Sequence, residues 1–162
     1  MPVTVRKMTD TEFSVFYRWS IQHQTEALMA QLHIPREAAL KETVAEIDGM
    51  LPQGLHTPDH TLLTVIAENQ NVGFIWTLYE ETQGRKQCFV CDFAIWETQR
   101  RKGYGKAALY LAEQLAAAEG RLESVLFVSD DNPIARAFYE AFGYRPLSRE
   151  GCGEYMHKPL SP

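Results

Sequence analysis

The sequence predicts an α+β protein of three layers, α/β/α, built on a mixed central sheet. Three observations carry this reading. Strand-like runs stand both before and after helical ones, without the strict alternation of a parallel α/β fold. Hydrophobic residues make up 45% and charged residues 23%, enough apolar surface to close a core and too little charge for a disordered chain. The 162 residues hold no periodic repeat and no low-complexity tract, so a single domain over 1–162 is expected rather than a solenoid or a tethered tail.

The elements follow in order. Residues 3–8 alternate as a short strand does, and Asp10 can cap a helix that carries Glu12 in its first turn. Phe13, Phe16, Tyr17, Ser20 and Ile21 recur at helical spacing behind it. Pro35 suits a first helical turn, and Ala38, Ala39, Glu42, Ala45, Glu46 and Gly49 carry a second helix toward Met50. The next ten residues, LPQGLHTPDH, break the pattern with two prolines and a glycine, so they form a loop. Strands are expected near 61–68, 71–80 and 87–96, with a hairpin turn at Asn69-Gln70-Asn71. The third, CFVCDFAIW, is almost continuously apolar, as a strand covered on both faces would be. An Ala/Leu-rich helix spans about 104–119, and Gly120 suits the position just past its end. A strand at 124–128, a helix at 132–142 and one or two terminal strands complete the chain.

Charge and composition exclude several functions. A net charge of −5 argues against a general nucleic-acid binder. No run approaches the roughly eighteen apolar residues of a membrane span, and the start, MPVTVRKMTD, lacks the apolar centre of a secretory signal. Three cysteines do not make a disulfide framework, and a reducing cytoplasm is the expected setting. Cys88 and Cys91 have CxxC spacing, but side chains three apart on a strand face opposite ways and no second pair completes a zinc site. They are read as core thiols. His56 and His60 are read as loop residues rather than ligands, so no metal is assigned.

The most informative stretch is Arg100, Arg101, Lys102, Gly103, Tyr104, Gly105 and Lys106. Four of the sixteen basic residues of an acidic chain fall in these seven positions, between a buried-type strand and a helix. Cations at a helix N-terminus oppose its dipole, whereas an anion there is favoured by both the dipole and the free N–H groups. Glycines allow close backbone approach, and the cations add charge and donors. The arrangement describes a pyrophosphate cradle. It lacks the GxxxxGK[ST] spacing of a P-loop and the third glycine of a dinucleotide-binding turn.

Arg100-x-x-Gly103-x-Gly105 after a strand resembles the acyl-CoA-binding signature of the Gcn5-related N-acetyltransferase (GNAT) superfamily. A second segment strengthens the resemblance: Asn132, Ala135, Phe138, Tyr139, Gly143 and Tyr144 are similar to the family's N-x-x-A-x-x-hydrophobic-Tyr-x-x-x-Gly-aromatic motif. The likeness covers about 87–159, and the first half fits the family's order of elements. It implies a mostly antiparallel sheet of six to seven strands flanked by about four helices. It further implies that Phe93, Ala94 and Ile95 pair through their backbone with the pantetheine arm of acetyl-CoA. Arg100 to Lys106 would hold its pyrophosphate, Asn132 and Ala135 would line the pantetheine end, and Tyr139 would stand beside the thioester sulfur. Glu97 and Arg101 depart from the family, at places often held by proline and glycine. A homodimer is common in the superfamily, and its first two helices usually shape acceptor choice.

The chemistry of acetyl transfer makes its own demands. An amine with pKa ~10 must lose a proton before it attacks a thioester, so a base or a relaying water is needed. Asp92, an acid inside an apolar strand, is the leading candidate, with Glu68, Glu80 and Glu81 as alternatives. Tyr139 is placed to protonate the leaving thiolate, and a backbone N–H on the central strand to receive the oxyanion. No cysteine stands as a convincing nucleophile, which favours direct transfer to a primary amine of a small molecule or peptide. The alternative is a protein that binds acyl-CoA without turnover.

Overall fold

The computed structural model describes residues 2–161, which divide into two compact units, one of residues 7–62 and one of the remainder. In the first unit, helix α1 (Asp10–Leu32) begins with a capping box: Thr9 Oγ1 accepts from Glu12 N at 3.2 Å while Glu12 Oε1 accepts from Thr9 N at 2.9 Å. The cap is therefore Thr9, one residue before the expected Asp10, because threonine with glutamate three positions on satisfies two orphan amides at once. Helix α2 (Arg36–Met50) has Pro35 as its N-cap. The helix runs through Ala38, Glu42, Ala45, Glu46 and Gly49 as expected, and its buried stripe is Ala39, Thr43 and Ile47, with Glu42, Ala45 and Glu46 exposed. Alanine fits either face of a helix, and the single isoleucine decides the direction. Tyr17 donates to Asp48 Oδ1 at 2.6 Å, tying the two helices together. The loop after α2 holds a 3-10 turn at Gly54–His56, closed by Thr57 Oγ1, which donates to Gly54 O at 2.8 Å.

The sheet has seven strands in the order β1-β2-β3-β4-β5-β7-β6: β1 Val3–Lys7, β2 His60–Ala67, β3 Gln70–Thr82, β4 Arg85–Ile95, β5 Glu123–Ser129, β6 Arg145–Glu150 and β7 Gly153–Pro159. The β2–β3 turn uses Glu68 and Asn69, both left-handed at φ 52° and 62°, which is the two-residue turn that suits strand twist. It lies one residue earlier than expected, and Asn71 instead accepts from Gly73 N (3.2 Å) and Trp96 Nε1 (3.0 Å). Strands β3 and β4 pair antiparallel, and β7 pairs antiparallel with both β5 and β6. Strands β4 and β5 pair in parallel, as a crossover through a helix requires.

Helix α3 (Tyr104–Ala118) makes that crossover. Its end is a Schellman turn: Gly120, at φ 83°, donates to Ala117 O and Arg121 donates to Ala116 O, both at 3.0 Å. Helix α4 is Pro133–Ala141. Ile75, Val90, Leu126, Val128 and Met156 of the sheet form one core cluster with Leu109 and Ala112 of α3 and with Tyr144, and Phe138 and Tyr139 of α4 pack against it. Among the described residues, no helix is long and apolar enough to cross a membrane.

Candidate active site

Two irregularities in β4 build the site. The register runs Thr77↔Val90 and then Trp76↔Asp92, so Cys91 is an inserted residue, a β-bulge. It explains why Val90 and Phe93, three apart, pack against the same core cluster. The pairing of β4 with β5 covers only Gln87–Phe89 against Glu123–Val125. A bulge bends its strand, and here the two parallel strands part as the bulge begins. Among the described residues, the edge of β4 from Asp92 to Ile95 is thereby left without a strand partner on the β5 side.

The register says which backbone groups point into that gap. Trp96 N donates to Val72 O at 2.9 Å, so Trp96 and Val72 are a hydrogen-bonded pair. Pairs alternate, so Ala94 faces Phe74 while Phe93 and Ile95 turn their N–H and C=O away from β3. Two of those four groups are engaged: Phe93 N donates to Asp92 Oδ1 at 2.8 Å, and Ile95 O accepts from Arg100 Nε at 2.9 Å. Of the three expected arm-pairing residues, Phe93 and Ile95 thus present backbone to the gap, whereas Ala94 spends its own on β3.

The basic loop follows a 3-10 turn at Glu97–Gln99. Arg101 has φ 67° and Gly103 φ 81°. The arginine standing where the family often has glycine therefore takes a glycine-like, left-handed backbone. Gly103 caps α3 with no side-chain hydrogen bond, and the first amide to find an intrahelical acceptor is Ala107 N, to Gly103 O at 3.3 Å. The amides of Tyr104, Gly105 and Lys106 are the orphan donors of a helix start. Such donors favour an anion, and the exposed Arg100, Arg101, Lys102 and Lys106 stand beside them. Gly105 sits under Phe93, Ile95 and Phe138, with a Cβ there only 3.6–3.8 Å from each side chain. The Tyr104 ring is buried with Val65, Ala67, Val72 and Ala108, and its phenol donates to Glu68 Oε2 at 3.4 Å, so it anchors the loop. Asn132 caps α4 through Oδ1, which accepts from Ala135 N at 3.2 Å. The two residues expected at the arm's far end are thus bonded to each other.

Tyr139 lies half-buried between Phe138 and Tyr144, with ring centroids 5.3 and 5.7 Å away and both pairs edge to face. Its phenol is pushed up to about 12, by burial first and then by the negative charge of Asp92. The charge of Asp92 thus reaches the Tyr139 phenol, while Asp92 Oδ1 itself accepts from Phe93 N. The alternatives lie elsewhere: Glu68 sits in the β2–β3 turn beneath Tyr104, and Glu80 and Glu81 lie opposite Gln87 and Lys86, toward the far end of the β3–β4 hairpin. Burial, above all, pushes the Cys88 thiol up to about 12 and raises Cys91 as well, so neither is a thiolate near neutral pH.

The sequence reading missed a buried polar chain behind Tyr139. Tyr144 donates to Glu113 Oε2 at 2.7 Å and accepts from Ser124 Oγ at 2.8 Å, and Lys158 Nζ donates to Glu113 Oε1 at 2.8 Å. A signal was present: Glu113 stands four residues after Leu109 and next to Ala112, on the apolar stripe of α3.

Comparison with known proteins agrees with this geometry. The acetyltransferase (GNAT) family model matches residues 17–144. An uncharacterised N-acetyltransferase of Bacillus subtilis (strain 168), YycN, is 31% identical over 147 residues, 90% of this chain and 94% of its own. The crystal structure of that protein superposes with a TM-score of 0.85 at 28% identity, covering 93% of this chain and 96% of the other. The fold is shared with the PaiA N-acetyltransferase of Thermoplasma acidophilum in complex with coenzyme A (TM-score 0.74, 18% identity, 99% and 100% covered). It is shared as well with the spermidine N-acetyltransferase of Vibrio cholerae in complex with CoA and spermine (TM-score 0.69, 14% identity, 98% and 95% covered). With the family model spanning most of the chain and a relative 31% identical over nine-tenths of it, the chain belongs to the acetyltransferase (GNAT) family and is an acyltransferase.

Proposed function

We propose that this chain, as one N-acetyltransferase domain, moves the acetyl group of acetyl-CoA directly to a primary amine of a small molecule or peptide. The observation that carries the reading is the parting of β4 from β5 beyond Phe89, beside the uncapped start of α3, with the Tyr139 phenol under the influence of the Asp92 charge. Acetyl-CoA, when bound, supplies the activated acyl group and a thiolate leaving group. Backbone N–H groups from Tyr104 to Lys106, with Arg101 and Lys102, hold the pyrophosphate. Phe93 O and Ile95 N–H, the unengaged groups of the open edge, hold the arm in strand-like pairing. Asp92, directly or through a water, accepts the proton of the incoming ammonium. Tyr139, kept protonated by burial, donates its phenolic proton to the departing sulfur. The raised Cys88 and Cys91 thiols support transfer without an acyl-enzyme.

The net charge of −5 favours a cationic acceptor such as a polyamine. The shared fold of a spermidine N-acetyltransferase supports the same choice. The test is a thermal shift with acetyl-CoA, CoA and ADP, followed by free-thiol release against a panel of polyamines, aminoglycosides and peptide amino termini. Stabilisation by acetyl-CoA with thiol release on a polyamine is expected. Stabilisation without release on any amine would replace the enzyme by an acyl-CoA-binding protein, and no shift at millimolar acetyl-CoA would remove the cofactor site.

A further inference from the structure

The geometry points to Glu113 and Tyr144 as positioning residues that hold Tyr139 at the reacting sulfur, an inference that rests on the acetyl-transfer reading above. Tyr144 grips Tyr139 twice. Its amide donates to Tyr139 O at 3.0 Å, closing a Schellman turn at the end of α4 in which Gly143, at φ 104°, donates to Glu140 O at 3.1 Å. Its ring meets the Tyr139 ring edge to face at 5.7 Å. The far end of the same ring is fixed from three other elements: Glu113 on α3, Ser124 on β5 and, through Glu113, Lys158 on β7. Lys158 also stands 4.2 Å over the Phe142 ring, at the C-cap of α4.

The centre of this chain is shielded from water, with Tyr144 0%, Ser124 1% and Glu113 7% exposed, while Lys158 at its end reaches the surface. A nine-residue helix such as α4 has little independent stability, so its placement is set by what its ends touch. The Glu113 carboxylate is a costly group to bury, and the core of α3 offers leucine or alanine as the ordinary occupant. Its effect here is directional. It fixes a hydroxyl, and so a ring, at one point with hydrogen-bond precision, and Tyr139 rests on that ring.

The test is a double-mutant cycle. Tyr144→Phe and Glu113→Gln are each made in the native chain and in a Tyr139→Phe background, with kcat, the KM for acetyl-CoA and the amide exchange rates of α4 measured. In the native background, Tyr144→Phe is expected to lower kcat at least tenfold with KM changed less than twofold. In the Tyr139→Phe background it is expected to change kcat less than twofold, because the group it positions is gone. Equal losses in both backgrounds, or an unchanged kcat in the first, would overturn the assignment. Exchange decides independently of turnover, so a chain that acetylates nothing would defeat the acetyl-transfer reading while leaving the anchor measurable. Tyr144→Phe should speed exchange of the 142, 143 and 144 amides at least tenfold with the β3 amides unchanged, and equal rates would refute the anchor. If Tyr144→Phe fails to fold, Ser124→Ala, which removes only the donor to the phenol oxygen, carries the same comparison with a smaller effect.

Discussion

Replacing Tyr139 by phenylalanine separates chemistry from packing because the structure gives the hydroxyl no partner to lose. Among the described residues none hydrogen-bonds that phenol, while its ring is held by Phe138 and Tyr144. A hydrogen bond inside the protein would contribute ~1 kcal/mol, and this half-buried hydroxyl has none to lose. Loss of the oxygen should therefore leave folding stability and Tm essentially unchanged. Loss of a general acid, by contrast, lowers kcat by about 10²–10⁴, or ~2.7–5.5 kcal/mol of transition-state stabilisation. The assay is thiol release under saturating amine, with thermal unfolding and CoA titration on the same preparations. The expected pattern is a steep loss of kcat with Tm no lower and CoA affinity within twofold. A kcat within threefold of the native value would refute the role and leave Tyr139 a packing ring, and a joint fall of Tm and kcat would show that the hydroxyl is structural.

Three further outcomes follow from particular residues. Arg101→Gly removes a side chain from a left-handed position, where a non-glycine residue costs ~1 kcal/mol, and should raise stability in urea by ~0.5–1 kcal/mol. The same change should weaken acetyl-CoA binding about three- to tenfold, with a shallower salt dependence by titration, because one cation leaves the loop. Gly73→Ala places a Cβ on the Ala94 carbonyl oxygen and against the Ile95 backbone, so it should destabilise by ~1–3 kcal/mol and disturb the open edge of β4. Alkali should unfold the protein through groups whose protons the native state retains. Tyr139 and Cys88 both rise to about 12 on folding, so their contribution is complete below the unfolded values of 9–10 and lost as pH rises toward 12. Tyr139 alone accounts for on the order of 3 kcal/mol. Urea midpoints that stay level from pH 8.5 to 11.5 would contradict both burials.

What the sequence showed depended on how local the cause was. Helices α3 and α4, and strands β2 to β5, were legible because periodicity, a glycine stop and a β-rich run each act within a few residues. Helix α2 was legible as a helix but its buried side was not, because alanine carries no direction and Ile47, with Ala39 and Thr43, marks that side. The cap moved from Asp10 to Thr9 because the reciprocal bond from Glu12 outweighs a single acidic acceptor. The basic loop and the Asn132–Tyr144 segment were legible as motifs, whereas the left-handed Arg101 was not, since φ leaves no mark on an arginine. The Glu113–Tyr144–Ser124 chain joins residues 11 to 31 positions apart, and only the closed fold brings them within 3 Å. The same holds for Asp92 and Tyr139, whose mutual influence spans two elements that no local rule connects.

Cys91 illustrates a part played by length rather than by chemistry. Its thiol is held protonated by burial and its sulfur makes only a distant contact with the Phe89 carbonyl, at 3.9 Å, so serine or valine could stand there with little effect on the reaction. Removing the position altogether is another matter. Val90 and Asp92 would then follow one another in an unbroken ladder with Thr77 and Trp76, and every side chain of β4 would keep its face. The strand would lose its bend, and the parallel ladder with β5 would be free to run on past Val125. Such a chain gains backbone hydrogen bonds and forfeits its opening: a better-zipped sheet with no free edge on the β5 side. In this fold the active site is spelled, in part, by a spacer.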